Sequence, residues 1–431
     1  MCKVYILKFL PEQNIRSFSH TSKGNRHLCL DFGLIKYKLS KQLSQQFYDR
    51  EDDEGIKIAE QVNKGARVVS LNLSYSQHNS LDPFILGKYI TWLDLNNCPQ
   101  LNSIDFPYSG NVLGLNLLKS ETTKDISKFT NVRSLVVGGK KNNLLDIEGI
   151  DKLSKLDKLF IEHSNISNIS GSTSIKEMIL HDCPDISDIS SIKKLNKVLV
   201  ESCPNIVDFS QFLDLEYLTI GKCNKLSNSN VEVLSELPAL KKLNISYCHG
   251  ITEINGFNNL ETFIISNCYG ITDINGFKKI DTFMISNCHG LQRITNISTI
   301  KDIKIYLCLN LRQLSFNDIF ALYLNKVGVD NMNGKNIKYL NMDSCNMIAD
   351  ISNVLNIDNL LLHNCNNIRD LSGLTNDVRV LSLICMEIDD VSTLTFLRIL
   401  NLYECVNITD VSMIQKVNIL QKHPERRLRS L

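Results

Sequence analysis

The stretch that decides the fold is residues 240–299. Cut into blocks of twenty, it reads LKKLNISYCHGITEINGFNN, LETFIISNCYGITDINGFKK and IDTFMISNCHGLQRITNIST. Each block has the same order: apolar, two variable positions, apolar, one variable position, apolar, two variable positions and then cysteine. A pattern that recurs at a fixed period indicates a stacked array, in which each repeat buries its apolar face against its neighbours.

The same spacing of apolar residues extends in both directions from this stretch. Apolar-x-apolar strand cores recur from Leu71/Leu73 to Leu400/Leu402, which gives about 17 short repeats of about 20 residues. The pattern L-x-x-L-x-L-x-x-N/C-x-L resembles the leucine-rich repeat (LRR) in its cysteine-containing form. This resemblance implies an α/β solenoid with a parallel sheet on its concave side. Repeats this short leave no room for a full helix beside the strand, so we expect extended or 3₁₀ segments on the other side.

A second motif, at the N-terminus, predicts a small helical region. Residues 6–28 read ILKFLPEQNIRSFSHTSKGNRHL, and their order resembles the second and third helices of an F-box. The resemblance implies docking to a Skp-type adaptor of a cullin ubiquitin ligase through Ile6, Leu7, Phe9, Leu10, Pro11, Ile15 and Phe18. The Leu-Pro-x-Glu segment with which the family begins has no counterpart before this motif, so we expect an N-terminally truncated F-box. The residues themselves also fit an amphipathic cap that shields the first repeat.

These patterns divide the chain into four predicted segments. Residues 1–30 are the partial F-box-like segment, and residues 31–66 are a helical linker or N-terminal cap. In the second segment Asp52 and Asp53 precede a helical pattern and Gly65 follows it, as is usual at helix ends. Residues 67–417 are the leucine-rich-repeat solenoid, and residues 418–431 are a basic C-terminal tail that contains Pro424.

Composition limits the expected partners and location. The 47 Lys and Arg residues balance 46 Asp and Glu residues, so there is no basic field to hold nucleic acid or an acidic membrane surface. No apolar run reaches the roughly 18 residues that a membrane span needs. The N-terminus lacks a secretory-signal pattern, so we expect the 14 cysteines to be reduced thiols of an intracellular protein. The expected compartment is the cytoplasm, which would be that of a host cell if the chain is viral.

Most cysteines occupy one position of the repeat, three residues after the second strand residue, and should form a ladder. They are Cys98, Cys183, Cys203, Cys223, Cys248, Cys268, Cys288, Cys308, Cys345, Cys365 and Cys405. A thiol is small and apolar with a weak S–H donor, which suits the place that Asn has in related repeats. The alternative is a metal site formed with His181, His249, His289 and His363. Zinc ligands converge on one point whereas stacked thiols point the same way, so we expect no metal and no cofactor.

The sequence contains none of the motifs that would indicate catalysis. It has no P-loop, no G-x-G-x-x-G after a strand, no H-E-x-x-H and no G-x-S-x-G. Serine, histidine and aspartate residues are scattered along the repeats, and nothing in their spacing brings them together. We therefore expect no catalytic residues and a protein that is not an enzyme.

The exposed face of the predicted sheet is the informative surface. Strand alternation turns the residue between the two core residues toward solvent, and the next outward position follows at the strand end. Apolar and aromatic residues recur at these positions. The predicted partner-binding set taken from them is Val136, Phe160, Ile179, Leu199, Ile264, Met284, Tyr306 and Tyr323. Aligned apolar residues on a solvent-facing sheet indicate a protein-binding face. Strand propensity alone also favours such residues.

These observations predict a protein–protein interaction module. In the leading interpretation the chain is the substrate-recognition subunit of an F-box/LRR-type (SCF-like) ubiquitin ligase, which binds its target on the concave face and an adaptor at its N-terminus. The alternative is a binding scaffold without a role in the ubiquitin pathway, whose N-terminus serves only as a cap. A third interpretation is an enzyme or metal protein built on the cysteine ladder.

Overall fold

The computed structural model describes residues 70–72, 90–99, 101, 104–119, 124–140, 147–169, 171–257, 259–277, 280–298, 300–374, 378–395, 397–405, 407–408, 411 and 418–419. The predicted F-box-like segment and N-terminal cap lie outside the described residues, as does most of the predicted tail. The chain divides into two compact units, Met1–Ile206 and Val207–Leu431, named unit 1 and unit 2 below.

Unit 1 is built from short parallel strands. They are β1 (Ser70–Asn72), β2 (Trp92–Asp94), β3 (Gly114–Leu117), β4 (Lys124–Asp125), β5 (Ser134–Gly138), β6 (Ile147–Glu148), β7 (Lys158–Glu162), β8 (Glu177–His181) and β9 (Lys197–Glu201). Apart from β4 and β6, these strands pair in chain order, each parallel to the next. Strands β4 and β6 pair with each other. One-turn 3₁₀ helices at Ser109–Asn111 and Ile150–Lys152 lie in the connecting segments.

Unit 2 has the same organisation with longer strands and one helix. Its elements are β10 (Tyr217–Gly221), α1 (Asn228–Ser235), β11 (Lys242–Ser246), β12 (Glu253–Asn255), β13 (Thr262–Ser266), β14 (Asp273–Asn275), β15 (Ile280–Ser286), β16 (Arg293–Ile297), β17 (Ile300–Tyr306), β18 (Gln313–Asn325), β19 (Asn331–Asp343), β20 (Asn359–His363), β21 (Val380–Ile384), β22 (Ile399–Tyr403) and β23 (Asn418–Ile419). The main ladder runs through β10, β11, β13, β15, β17 and β18 to β23, all parallel. A second parallel ladder joins β12, β14, β16 and β18.

Each unit is therefore a parallel β-solenoid of short repeats, which confirms the predicted fold class. The period of the sequence sets the strand register: Leu243 is aligned with Phe263, and Phe263 with Phe283. Equivalent apolar residues of successive repeats thus pack on one another. A shift by one residue would turn all of them to solvent, so the register is strongly specified.

Alternation along each strand separates the core from the exposed face. In β13 Phe263 and Ile265 are fully buried, whereas Thr262, Ile264 and Ser266 are half-exposed. β8 has the same pattern, and β7, β9 and β11 differ from it only in that their first residue is exposed. Each fully buried Ile or Phe side chain contributes roughly 1.5–3 kcal/mol, so the stacked pairs are the main source of stability.

Aromatic rings fill the core of unit 2 beside the most regular repeats. Phe257 and Phe277 end the variable halves of two successive repeats, and Phe263 and Phe283 lie in the adjoining strands. All four are buried, and neighbouring ring centroids are 5.2 to 5.9 Å apart. The ring planes are close to parallel, with interplanar angles of 17° to 28°. This stack supplies the apolar volume that helices provide in longer repeats.

Among the described residues, α1 is the only α-helix, and the variable halves are otherwise extended or turned, as the short repeats predict. The helix lies in the long repeat between Cys223 and Cys248. At its start the Ser227 backbone N–H donates to Asn230 Oδ1 over 3.0 Å, which satisfies one otherwise unpaired group.

The last described strand lies in the segment predicted to be a tail. Ile399 of β22 is aligned with Asn418 of β23, and Leu400 with Ile419. The parallel pairing of the repeats thus continues to Ile419.

Candidate functional site

One row of outward-facing apolar residues crosses unit 1 at the middle of its strands. Val136, Phe160, Ile179 and Leu199 hold the third positions of β5, β7, β8 and β9, and the register makes each the direct neighbour of the next. All four are half-exposed, while the residues on either side of each in its strand are buried. With strands about 4.8 Å apart, these four residues, named the apolar row, form a strip of roughly 15 Å.

Ionisable side chains line both sides of the apolar row. The first positions of β7, β8 and β9 are Lys158, Glu177 and Lys197, and the last positions are Glu162, His181 and Glu201. Lys158 Nζ lies 2.9 Å from Glu177 Oε1. A solvent-exposed pair of this kind adds at most about 1 kcal/mol to stability. The arrangement of ionisable residues around the apolar row is more informative than this one ion pair, because an apolar centre with a polar rim is usual in protein interfaces.

A shorter apolar pair lies at the corresponding position of unit 2. Ile264 and Met284 are aligned on β13 and β15, and both are half-exposed. Their neighbours on the same face are hydroxyl side chains, namely Thr262, Thr282, Ser266 and Ser286. This pair is therefore a smaller apolar patch than the apolar row, and a charged residue, Lys304, follows Met284 on the next strand.

The two tyrosines of the predicted site lie in different rows of unit 2. The outward-facing residues at the middle of successive strands are named the mid-strand row. In this row Tyr323 follows Met284 and Lys304, and Lys304 Nζ lies 5.5 Å from the centroid of the Tyr323 ring. Tyr306 ends β17 and is aligned with Asn325. A cation–π contact at an exposed site contributes roughly 0.5–1 kcal/mol. The mid-strand row thus changes from apolar to cationic and aromatic along unit 2.

The cysteine ladder closes the turns that follow the strands. Asn267 and Asn287 have left-handed backbone, with φ of 54°, and a cysteine comes directly after each. The thiol donates to the carbonyl at the strand end, two residues earlier, over 3.3 Å at Cys268 and 3.4 Å at Cys288. The described cysteines form no disulfide bond with one another. The thiol therefore takes the hydrogen-bonding role that the sequence predicts for it.

Burial makes three successive ladder thiols weak acids. It raises the pKa of Cys248, Cys268 and Cys288 to about 12. At neutral pH these thiols stay protonated, and the thiol form is neither a good nucleophile nor a metal ligand.

The histidines of unit 2 that the sequence places near the ladder lie in separate surroundings. His249 and His289 stack on either side of Tyr269, with ring centroids 5.0 and 5.6 Å from it. His363 Nδ1 lies 3.3 Å from Asp343 Oδ1. Neither arrangement brings a histidine and a thiol to a common point.

In unit 1, His181 has a histidine neighbour that strand alternation does not reveal. The ring centroids of His163 and His181 are 5.3 Å apart. His163 follows the end of β7 and has a left-handed backbone with φ of 49°, so its side-chain direction is not set by the strand. The strand register indicates this neighbour. Glu162 is aligned with His181, so His163, the residue after Glu162, lies beside the end of β8.

A cleft of about 330 Å³ lies at the variable halves of the repeats in unit 2. Its lining residues are Asn296, Ile297, Ser315, Phe316, Asn317, Asn333, Gly334, Asn353 and Leu355. They offer amide and hydroxyl groups for hydrogen bonds, but no acid or base.

The F-box-like residues Ile6 to Phe18 lie outside the described residues, so the adaptor-binding prediction stays a prediction. Within the described part of the chain, no helix combines the length and the apolar character that a membrane span requires.

Fold and register define the chain as a solenoid of repeats with the leucine-rich pattern. No protein-family model matches it, and no curated protein matches it. Among solved structures it is similar to a leucine-rich-repeat protein of Leptospira interrogans, at 14% identity over 80% of this chain and 92% of the other, with a TM-score of 0.43.

Two proteins of Listeria monocytogenes are also similar. The functional domain of InlJ, which includes a cysteine ladder, shares 15% identity over 65% of each chain, with a TM-score of 0.39. The internalin InlF shares 16% identity over 84% of this chain and 89% of its own, with a TM-score of 0.29. Similarity at this level assigns neither a family nor a function to the chain.

Proposed function

We propose that the chain is a protein-binding solenoid whose binding face is centred on the apolar row. The observation that carries this proposal is the alignment of Val136, Phe160, Ile179 and Leu199 in one register row, half-exposed and bordered by ionisable side chains. Four neighbouring apolar side chains on a solvent-facing sheet expose apolar surface to water, and a partner that covers this surface gains binding free energy.

Phe160 has the largest side chain of the apolar row, and Ile179 and Leu199 follow it on the next two strands. Complete burial of one such side chain is worth roughly 1.5–3 kcal/mol, and most interfaces depend on a few central residues of this kind. The expected ligand is a protein segment that presents apolar side chains to the row and hydrogen-bonding or charged groups to its rims. Ile264, Met284, Tyr306 and Tyr323 are proposed as contacts of a binding face in unit 2.

Photo-cross-linking at two positions of the mid-strand row tests the proposal. In one variant a photoreactive amino acid replaces Ile179, which belongs to the apolar row. In the other it replaces Ser382, the mid-strand residue of β21. Both full-length proteins are irradiated in cell extract. We expect one dominant protein adduct from position 179 and little from position 382. Equal adduct patterns from the two positions, or none from position 179, would contradict the proposal.

A more specific function is that of a substrate receptor in an SCF-like ubiquitin ligase. Its support is the F-box-like order of residues 6–28. In this version the N-terminal segment recruits the adaptor and the apolar row selects the target. The plain scaffold, whose N-terminus is only a cap, is the alternative.

Co-purification with a Skp-type adaptor separates these two versions. The full chain should retain the adaptor, and Leu10→Asp should abolish retention while Asn14→Asp, a polar position of the same motif, should not. Absence of adaptor binding by the unmodified chain would contradict the substrate-receptor function and leave the plain scaffold as the function of the chain. The cross-linking result at Ile179 is independent of this outcome.

A further inference from the structure

A carboxylate and two imidazoles come together at the ends of β7 and β8. One donor atom from each of Glu162, His163 and His181 lies within 4.8 Å of the donor atoms of the other two. His163 Nε2 is 3.2 Å from Glu162 Oε1, and the planes of the two imidazole rings are inclined by 50°. All three residues belong to unit 1 and lie at the rim of the apolar row.

The backbone fixes the relative positions of these side chains. Glu162 and His181 are register partners at the last positions of their strands. The His163 backbone N–H donates to the His181 carbonyl over 2.9 Å, and His163 adopts φ of 49°. A left-handed backbone at a residue other than Gly, Asn or Asp costs on the order of 1 kcal/mol. The repeat maintains this conformation, so the imidazole position does not depend on a flexible side chain alone.

The environment of His163 supplies a second observation. The residue is only 8% exposed. Its Nδ1 lies 3.0 Å from Asp182 Oδ2, but this contact is not aligned as a hydrogen bond. Nε2 therefore faces Glu162 while Nδ1 faces a second carboxylate. This order, carboxylate to imidazole to ligand position, is the one that orients metal-binding histidines.

We propose that Glu162, His163 and His181 bind one divalent transition-metal ion, with zinc as the best match to the donor set. Zinc is bound by imidazole nitrogen at about 2.0–2.1 Å and by carboxylate oxygen at about 2.0–2.2 Å. Glu162 and His181 are half-exposed, so their side chains are not fixed by packing in the core and can turn toward a shared ion. Calcium and magnesium prefer all-oxygen sites, which a pair of imidazoles disfavours. Asp182 Oδ2 lies beside His163 Nδ1, on the side of the ring away from Glu162, and a fourth coordination position remains for water or another donor.

An ion pair without metal is the competing explanation of this cluster. A protonated His163 between Glu162 and Asp182 would account for both short contacts. In that case His181 would have no part in ion binding. The contribution of His181 to metal affinity therefore separates the two explanations.

Metal titration of the full-length, tag-free protein tests the proposal. Zn²⁺ binding is measured by calorimetry, and Co²⁺ binding by its visible absorption, which reports the donor set. We expect one ion per chain, an affinity at least tenfold weaker in Glu162→Gln and in His181→Gln, and a loss of about 10–100-fold in Asp182→Asn. His249→Gln, which changes an exposed histidine outside the cluster, should bind as the unmodified protein does. Circular dichroism confirms that each variant is folded.

Thiols can also bind zinc, so the titration is repeated after alkylation of accessible thiols. Binding that persists after alkylation and weakens in His181→Gln supports the proposed site. Binding that is lost on alkylation but unchanged in Glu162→Gln and His181→Gln would overturn it, as would the absence of stoichiometric binding.

Discussion

Ile264 and Ile265 are neighbours in β13, yet their side chains lie on opposite faces of the sheet. Ile265 is fully buried in the core, and Ile264 is half-exposed in the mid-strand row. The whole assignment of core and binding face depends on this alternation. A pair of matched substitutions at the two positions therefore tests the register.

Ile265→Asp should unfold unit 2, whereas Ile264→Asp should remain folded. A carboxylate at position 265 would be buried without a partner, at a cost of several kcal/mol or more, whereas surface substitutions usually change stability by less than about 0.5 kcal/mol. Urea denaturation followed by circular dichroism measures both effects. If the two variants have similar stability, the register described for β13 is incorrect.

The ladder thiols predict a loss of stability at alkaline pH. The pKa of Cys288 is raised from its ordinary 9.0 to about 12 in the folded protein, chiefly by burial. Below pH 9 both folded and unfolded states keep the proton. As pH rises further, the unfolded thiol ionises first, so the free energy of unfolding falls until the folded thiol also ionises. One such thiol contributes a slope of up to about 1.4 kcal/mol per pH unit.

Cys288→Ser should therefore show a shallower decline of stability above pH 9 than the unmodified protein. The serine hydroxyl does not titrate in this range, whatever its effect on stability at neutral pH. Urea titrations at a series of pH values from neutral to strongly alkaline give the two curves, with Ser286→Ala, a half-exposed position of the same repeat, as the control. Parallel curves for Cys288→Ser and the unmodified protein would show that folding does not raise the pKa of Cys288.

Cys385 should become more reactive when Glu404 loses its charge. Its Sγ lies 3.1 Å from Glu404 Oε2, and the hydrogen bond to this carboxylate, with burial and the nearby negative charge, raises the pKa of Cys385 to about 11. In Glu404→Gln the pKa should fall toward its ordinary 9.0. Alkylation at pH 8 should then be faster, on the order of tenfold for each pKa unit recovered. Peptide mass spectrometry after timed iodoacetamide treatment measures the rate.

Glu387→Gln provides the matched control, because Glu387 pairs with Arg369 rather than with a thiol. Its Cys385 should react as in the unmodified protein. An unchanged rate in Glu404→Gln would mean that the carboxylate does not hold the thiol proton.

The strand positions and the exposed rows could be predicted from the sequence because one period controls both. Once Leu243, Phe263 and Phe283 are recognised as equivalent, their alignment follows, and so does the outward direction of Ile264 and Met284. The hydrogen-bonding role of the ladder thiols follows from the same repeat position.

Features at the turns could not be predicted in the same way. His163 lies at a left-handed turn residue, where alternation does not give the side-chain direction. Cys385 similarly takes the left-handed position of its turn, with φ of 53°. The next residue, Met386, provides the sulfur that accepts from the Cys365 backbone N–H over 3.3 Å. Both arrangements depend on backbone geometry that a pattern of apolar residues does not encode.

The decisive measurement of protein binding by the apolar row of unit 1 is the affinity of row variants for the cross-linked partner. With the partner purified, Kd is measured by calorimetry for the unmodified chain, for Phe160→Asp in the row and for Ser382→Asp at a polar mid-strand position. Phe160→Asp should weaken binding by at least tenfold, about 1.4 kcal/mol, while Ser382→Asp should leave Kd unchanged. Equal Kd values for Phe160→Asp and the unmodified chain would contradict protein binding by the apolar row.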